Sequence, residues 1–351
     1  MKAVLPLSVS TGTYTSRSDA IHRPLRHSAA PTTAKMRSIN TEIINTTKQV
    51  ADLVDWLVLR HEGWQFSPTM YIDLEGVDLC REGSISILTL LIDTGIPTGC
   101  VCLVDVHTLG AEAFNTPSLK AKTLGKTLKG ILEDEKIAKV FFDVRNDSDA
   151  LFAHYGVALQ GVADVQLMES ATRRTTEARK YVSGLAKCIE QNVVWPLTFG
   201  NLASWKLAKE KGERLFKSEH GGSYDVFNLR PIPADIVAYC VGDVQCLPHL
   251  REKFAMGTNR WQDLVNEETK KRVAVSQRPE YQPRGPDRAL APWSGDQNRT
   301  LDEWNYVPPS RDYFDDDVDL YEDFYEEEWY DDRGDNDYED WTRADWQGPP
   351  S

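Results

Sequence analysis

The chain has 351 residues and a net charge of −14, but the charge is concentrated: residues 301–351 hold 19 Asp and Glu against 3 Arg, leaving 35 acidic and 37 basic groups in the first 300. A near-neutral body is compatible with a local basic groove, so the overall acidity does not exclude a nucleic-acid partner. No apolar run approaches the roughly 20 residues that a helix needs to cross a bilayer, and no membrane association is expected.

Residues 1–37 carry basic, Ser and Thr residues with a single acid, Asp19, and cannot build a core. They read as a disordered leader or a transit peptide, and Met36 is an alternative start. Apolar residues at helical spacing predict a helix over 48–59. Strand-like runs follow at 70–74, 85–92 and 101–106, separated by turns near Gly83 and across 95–99. A helix is expected at 121–132, a strand at 138–142, a helix at 146–155 and a strand at 162–167. The chain then turns helical and basic through Lys217, and Arg230-Pro-Ile-Pro leads into an apolar helix over 234–254.

Strands first, then strands alternating with helices, predict an α/β fold: a mixed sheet with helices on both faces. The compact domain is expected over 38–256, a linker over 257–300, and a disordered acidic, aromatic tail over 301–351. The six cysteines lack CxxC pairing and Cys/His zinc spacing. Cys100 and Cys102 share a strand face, but no second pair lies nearby. All six read as reduced thiols of an intracellular protein. Nucleus or cytoplasm is the expected compartment, the mitochondrion the alternative.

Four acids carry the chemistry. Asp73 and Glu75, in Tyr-Ile-Asp-Leu-Glu-Gly, are alternate residues on a strand and project from one face, with Leu74 opposite. Exposed acids on a surface strand are the plain alternative, but apolar flanks on both sides argue for a central strand whose charges need compensation. Tyr239 and Asp243 share one helix face a turn apart. Asp143, Asp147 and Asp149 lie close together where helix N-termini favour acids anyway. Asp147, one turn in, is the expected metal-facing member. Two carboxylates from a strand and two from helices suit a pair of Mg²⁺ ions set against a phosphodiester.

These motifs, Asp-Leu-Glu-Gly, Phe-Asp-Val-Arg-Asn-Asp-Ser-Asp and Tyr-x-x-x-Asp, resemble the DEDD superfamily of 3′–5′ exonucleases in its tyrosine branch, which includes ribonuclease D and the Werner-type exonuclease domain. A fungal group of exonuclease-domain proteins is similar in the same motifs. The histidine branch requires a His where this chain has Ala238. The resemblance implies a ribonuclease H-like sandwich, two divalent ions held by Asp73, Glu75, Asp147 and Asp243, and Tyr239 positioning the attacking water. The chain departs from relatives at Leu88-Thr89-Leu90, at Phe141-Phe142-Asp143 and across 172–230, which bears on substrate choice. A nucleic-acid-binding module of the same fold without turnover is the alternative.

Lys206, Lys209, Lys211, Arg214 and Lys217 are the candidate nucleic-acid contacts, with Trp195, Phe199, Trp205 and Phe216 as stacking surfaces for a single-stranded 3′ end. An amphipathic helix pair with core aromatics is the plain alternative. The acidic, aromatic tail is expected either to fold back on the basic surface or to bind a protein partner.

Overall fold

Buried side chains that alternate between two faces define a six-stranded sheet. The computed structural model describes residues 40–63, 69–93, 100–120, 122–194, 201–255 and 259–307. The leader 1–37, most of the acidic tail, Trp195 and Phe199 lie outside the described residues. Strand β1 (Asn40–Ile44) precedes helix α1 (Thr47–Gly63) and the strands β2 (Thr69–Glu75), β3 (Ile87–Asp93) and β4 (Cys100–Asp105). Then come β5 (Lys139–Phe141), α2 (Arg145–Tyr155), β6 (Val162–Asp164) and α3 (Val165–Thr172).

The sheet order is β1-β4-β3-β2-β5-β6, with β2, β3 and β4 antiparallel and the other pairings parallel. This is the mixed α/β sheet that the order of elements predicts. Met70, Ile72 and Leu74 join one core layer with Val54 and Leu57 of α1. Tyr71, Leu91, Val101 and Val140 face the opposite layer. That second layer is covered by α4 (Leu185–Asn192), α5 (Leu202–Phe216), α6 (Ala234–Gln245) and α7 (Leu247–Ala255).

Several boundaries differ from expectation for local reasons. Strand β1 has three exposed residues at the sheet edge and lacks the alternation that announces a strand. The helix expected over 121–132 shrinks to Leu128–Leu132. Ser118 and Thr123 hydrogen-bond the buried Asp55 instead, and Gly125 takes a positive φ of 78° in the intervening loop. The strand expected over 162–167 ends at Asp164, whose carboxylate accepts from the Gln166 amide at 3.0 Å and starts α3. The helix expected over 234–254 breaks at Cys246, two residues before Pro248, which has no N–H to continue it.

The largest correction concerns the linker. Residues 257–300 include most of two helices, α8 (Gln262–Ser276) and α9 (Gly295–Asn305), which complete the core with buried Trp261, Val265, Val273, Trp293 and Leu301. Helix α8 hid from hydrophobic periodicity because its buried face includes Glu268, Thr269 and Arg272. Arg272 donates to Asp164 at 2.7 Å and to Gln166 at 2.9 Å, so polar partners replace apolar burial there. The expected tail also begins later, since α9 carries regular structure through residue 305.

Candidate active site

Strand β2 runs between β3 and β5, so its last residues lie at the centre of the sheet edge. The pleat sends Leu74 into the α1 layer and Asp73 and Glu75 to the face covered by α6. Gly76 then turns the chain: a Cβ there would stand 1.9 Å from the Ser84 carbonyl oxygen, so only glycine closes this turn.

Helix α6 brings Tyr239 and Asp243 to the same place from above, one turn apart. Ligand oxygens of Asp73, Glu75 and Asp243 all lie within 4.8 Å of one another. The entry to α6 is anchored by Arg230, whose guanidinium grips Asp105 at the end of β4 at 2.6 and 2.5 Å. Trp205 of α5 donates to the Gly242 carbonyl at 3.2 Å and fixes the helix beside Asp243.

Of the three acids at the start of α2, two already have partners. Asp143 is gripped by Arg145 at 2.5 Å and lies 3.6 Å from Arg272. Asp149 accepts from the Arg81 backbone at 2.9 Å and from its Nε at 2.7 Å. Asp147 is buried and has no basic partner among the described residues. It stands outside the tight triple but near enough for mutual repulsion with Asp73.

The electrostatics follow from this crowding. Burial, then the charge of Asp243, pushes the Asp73 carboxyl up to about 8. Burial and neighbouring carboxylates also raise Glu75 and Asp147 well above the usual range. One oxygen of Asp73, Oδ2, is buried with no hydrogen-bond partner among the described residues. An all-oxygen, charge-rich donor set with an orphaned lone pair fits a hard divalent cation such as Mg²⁺ or Mn²⁺.

A lysine supplies positive charge at this cluster. Lys209 Nζ donates to both carboxylate oxygens of Asp243, at 2.8 and 3.0 Å, and sits 3.9 Å from the Tyr239 ring centroid. Burial opposes its ammonium, but the carboxylates prevail and raise its pKa. Burial, then the surrounding carboxylates, push the Tyr239 phenol well above its ordinary value.

The expected basic stripe on α5 is therefore divided. Lys209 faces inward to the acids, whereas Lys206 pairs with Glu190 at 2.8 Å, Lys217 with Glu213 at 3.5 Å, and Arg214 with Glu210. Lys211 is exposed and makes no ion pair among the described residues. Trp205 and Phe216 are core residues rather than stacking platforms. Sequence reasoning also missed Gly212, where a Cβ would come within 2.6–2.7 Å of the Tyr239 side chain. A glycine inside a charged helix was the available signal.

Residues 65–257, more than half the chain, match a family described as 3′–5′ exonuclease. The chain is 35% identical over 164 residues to the human piRNA biogenesis protein EXD1, covering 46% of this chain and 27% of that protein. It is 32% identical over 149 residues to human exonuclease 3′–5′ domain-containing protein 2, covering 42% of this chain and 22% of that protein. The chain thus spans about a quarter of the length of these curated relatives. Among solved structures, Trypanosoma brucei RNase D with GMP superimposes with a TM-score of 0.54 at 21% identity, over 76% of this chain and 71% of that one. The same enzyme with RNA U12 gives 0.53 at 20% identity, over 76% and 79%. At such identity the likeness speaks for the fold.

Proposed function

Because the chain belongs to the 3′–5′ exonuclease family, we propose that it hydrolyses phosphodiester bonds from the 3′ end of a nucleic-acid strand, with Asp73, Glu75, Asp147 and Asp243 holding two Mg²⁺ or Mn²⁺ ions. The observation that carries this reading is the convergence of three carboxylates, among them Asp73 with a buried oxygen unpartnered among the described residues, with Asp147 near enough to repel Asp73. When bound, such ions activate water and neutralise charge at the attacking and leaving oxygens.

The chain's own residues do the positioning. Asp73 and Glu75 are fixed by the central strand, Asp243 by α6, and Asp147 by α2, whose Asp149 is pinned to Arg81. Tyr239 remains a phenol at working pH because its environment penalises phenolate. It therefore orients water by hydrogen bonding and does not act as a bulk base. Lys209 compensates Asp243 until cations arrive. Lys206, Lys211, Arg214 and Lys217, on or just beyond α5, guide the strand by phosphate contacts, and the acids that pair with three of them make each contribution small.

The RNase D relatives that bind GMP and RNA make single-stranded RNA the first substrate to test, with DNA as the comparison. Full-length protein should release nucleotides from end-labelled strands with Mg²⁺ or Mn²⁺ and stop with chelator. Asp243→Asn should lower the rate at least about a hundredfold, because it removes charge stabilisation at the reacting phosphate. Strand binding without metal-dependent release by the wild type would reduce the domain to a binding module.

A further inference from the structure

A second set of metal-capable side chains comes together at the sheet edge remote from β2. Cys100 and Cys102 are alternate residues of β4 and share its α1-facing side. Glu42 of β1 lies directly opposite Cys102 in the parallel register. Alternate residues on a strand are about 7 Å apart along the backbone. The two sulfurs are nonetheless only 3.9 Å apart, so both side chains lean toward each other. A carboxylate oxygen of Glu42 completes a triangle in which every pair of ligand atoms lies within 4.8 Å.

We propose that Glu42, Cys100 and Cys102 form a binding site for one thiophilic divalent ion, with Zn²⁺ as the occupant that best fits the ligands. Two thiolates held at about 2.3 Å from a tetrahedral ion stand about 3.8 Å apart, so the observed sulfur separation requires almost no rearrangement. Sulfur donors disfavour Mg²⁺ and Mn²⁺, which the all-oxygen cluster favours. The two sites therefore select different ions. Cys102 is anchored in the core, Cys100 is half-buried and Glu42 is exposed, so the open fourth position faces solvent. Coordination releases the thiol protons to solvent and needs no other reactant.

The site has a structural use. Among the described residues strand β1 pairs only with β4, and its first three residues are exposed. An ion shared between Glu42 and the two cysteines ties this edge strand to the sheet where its own packing is weakest. The alternative is a pair of ordinary core thiols beside a solvated glutamate.

The test is a Cd²⁺ titration of the full chain in excess Mg²⁺, read by the ultraviolet sulfur-to-cadmium charge-transfer band. The band should saturate at one ion per chain and be displaced by Zn²⁺. Cys100→Ser should abolish it, Glu42→Gln should weaken binding about tenfold or more, and Asp243→Asn should leave it unchanged. Because Cys102 belongs to the core, Cys100→Ser is the decisive variant; an unchanged metal-free melting temperature verifies that it folds. Its Mg²⁺-dependent nuclease activity should equal that of wild type. A band of wild-type strength in Cys100→Ser, or no saturation at one equivalent in wild type, would overturn the proposal.

Discussion

Lys209 connects the acids to their own repulsion. With both Asp243 oxygens in its grip, it neutralises charge that a divalent ion would otherwise claim. Lys209→Met should therefore tighten Mn²⁺ binding about tenfold, equivalent to about 1.4 kcal/mol of removed competition, as measured by calorimetry. It should also lower the metal-free melting temperature, because Asp243 then stands unpaired. Unchanged Mn²⁺ affinity would show that the ammonium does not compete. The acids also predict a pH dependence. Asp73 is raised from an unfolded value near 3.8 to about 8, so its protonated form stabilises the fold at low pH. That contribution is lost as pH rises through about 8. Metal-free protein should melt several degrees lower at pH 8 than at pH 5, Asp73→Asn should flatten the trend, and Mg²⁺ should restore the pH 8 value. A melting temperature that rises over this window would contradict the carboxyl assignment. That Asp73 shares a face with Glu75, and Tyr239 with Asp243, was legible because strand and helix spacing fixes which neighbours in sequence lie together. Lys209 was not legible as their partner, since 34 positions separate it from Asp243 and only packing joins them.

The close approach of α5 to α6 is set by one missing methyl group. At Gly212 a Cβ would meet the Tyr239 side chain at 2.6–2.7 Å, closer than atoms tolerate. Gly212→Ala should cost about 1–3 kcal/mol in chemical denaturation and displace Tyr239, lowering kcat more than strand affinity. Gly295→Ala is the matched control: it lies in the first turn of α9 with open space around it and should be neutral or stabilising by less than about 1 kcal/mol. If Gly212→Ala behaves like Gly295→Ala, the helix pair has slack that the geometry denies. Elements with simple periodicity, such as α1, β2 and β3, were readable from the sequence. Helix α8 was not, because Arg272 buries itself on Asp164 and Gln166 where an apolar stripe was sought. The aromatics of α5 misled for a related reason: Trp205 and Phe216 alternate with charges in sequence but turn inward on the helix.

At the scale of the molecule, the five motif residues end at Asp243 but the folded unit does not. Trp261, Val265, Trp293 and Leu301 belong to the same core layer as the buried residues of α3 and α6. A chain cut at residue 256, where the motifs suggest a boundary, should lose cooperative unfolding and nuclease activity. A chain spanning 36–307 should keep both, as measured by thermal melts and nucleotide release. Comparable melts for the two truncations would return 257–307 to the status of a linker. No helix among the described residues is long and apolar enough to cross a membrane.

Arg81 gives this late completion a temporal meaning. While its Nε holds Asp149 beside Asp147, its other nitrogens donate to the carbonyls of Ser276 at 2.9 Å, and of Arg278 and Pro279 at 2.7 Å. During synthesis, every motif residue leaves the ribosome before the segment that bears those carbonyls does. A nascent chain thus presents its acids in order but lacks the clasp that fixes α2. The expected consequence is a delay, in which Asp147 sits on an unclasped α2 until that later segment has left the ribosome. Ribosome-arrested chains ending near residue 256 should be open to protease at α2, whereas chains arrested far enough beyond residue 307 to free that segment from the exit tunnel should resist.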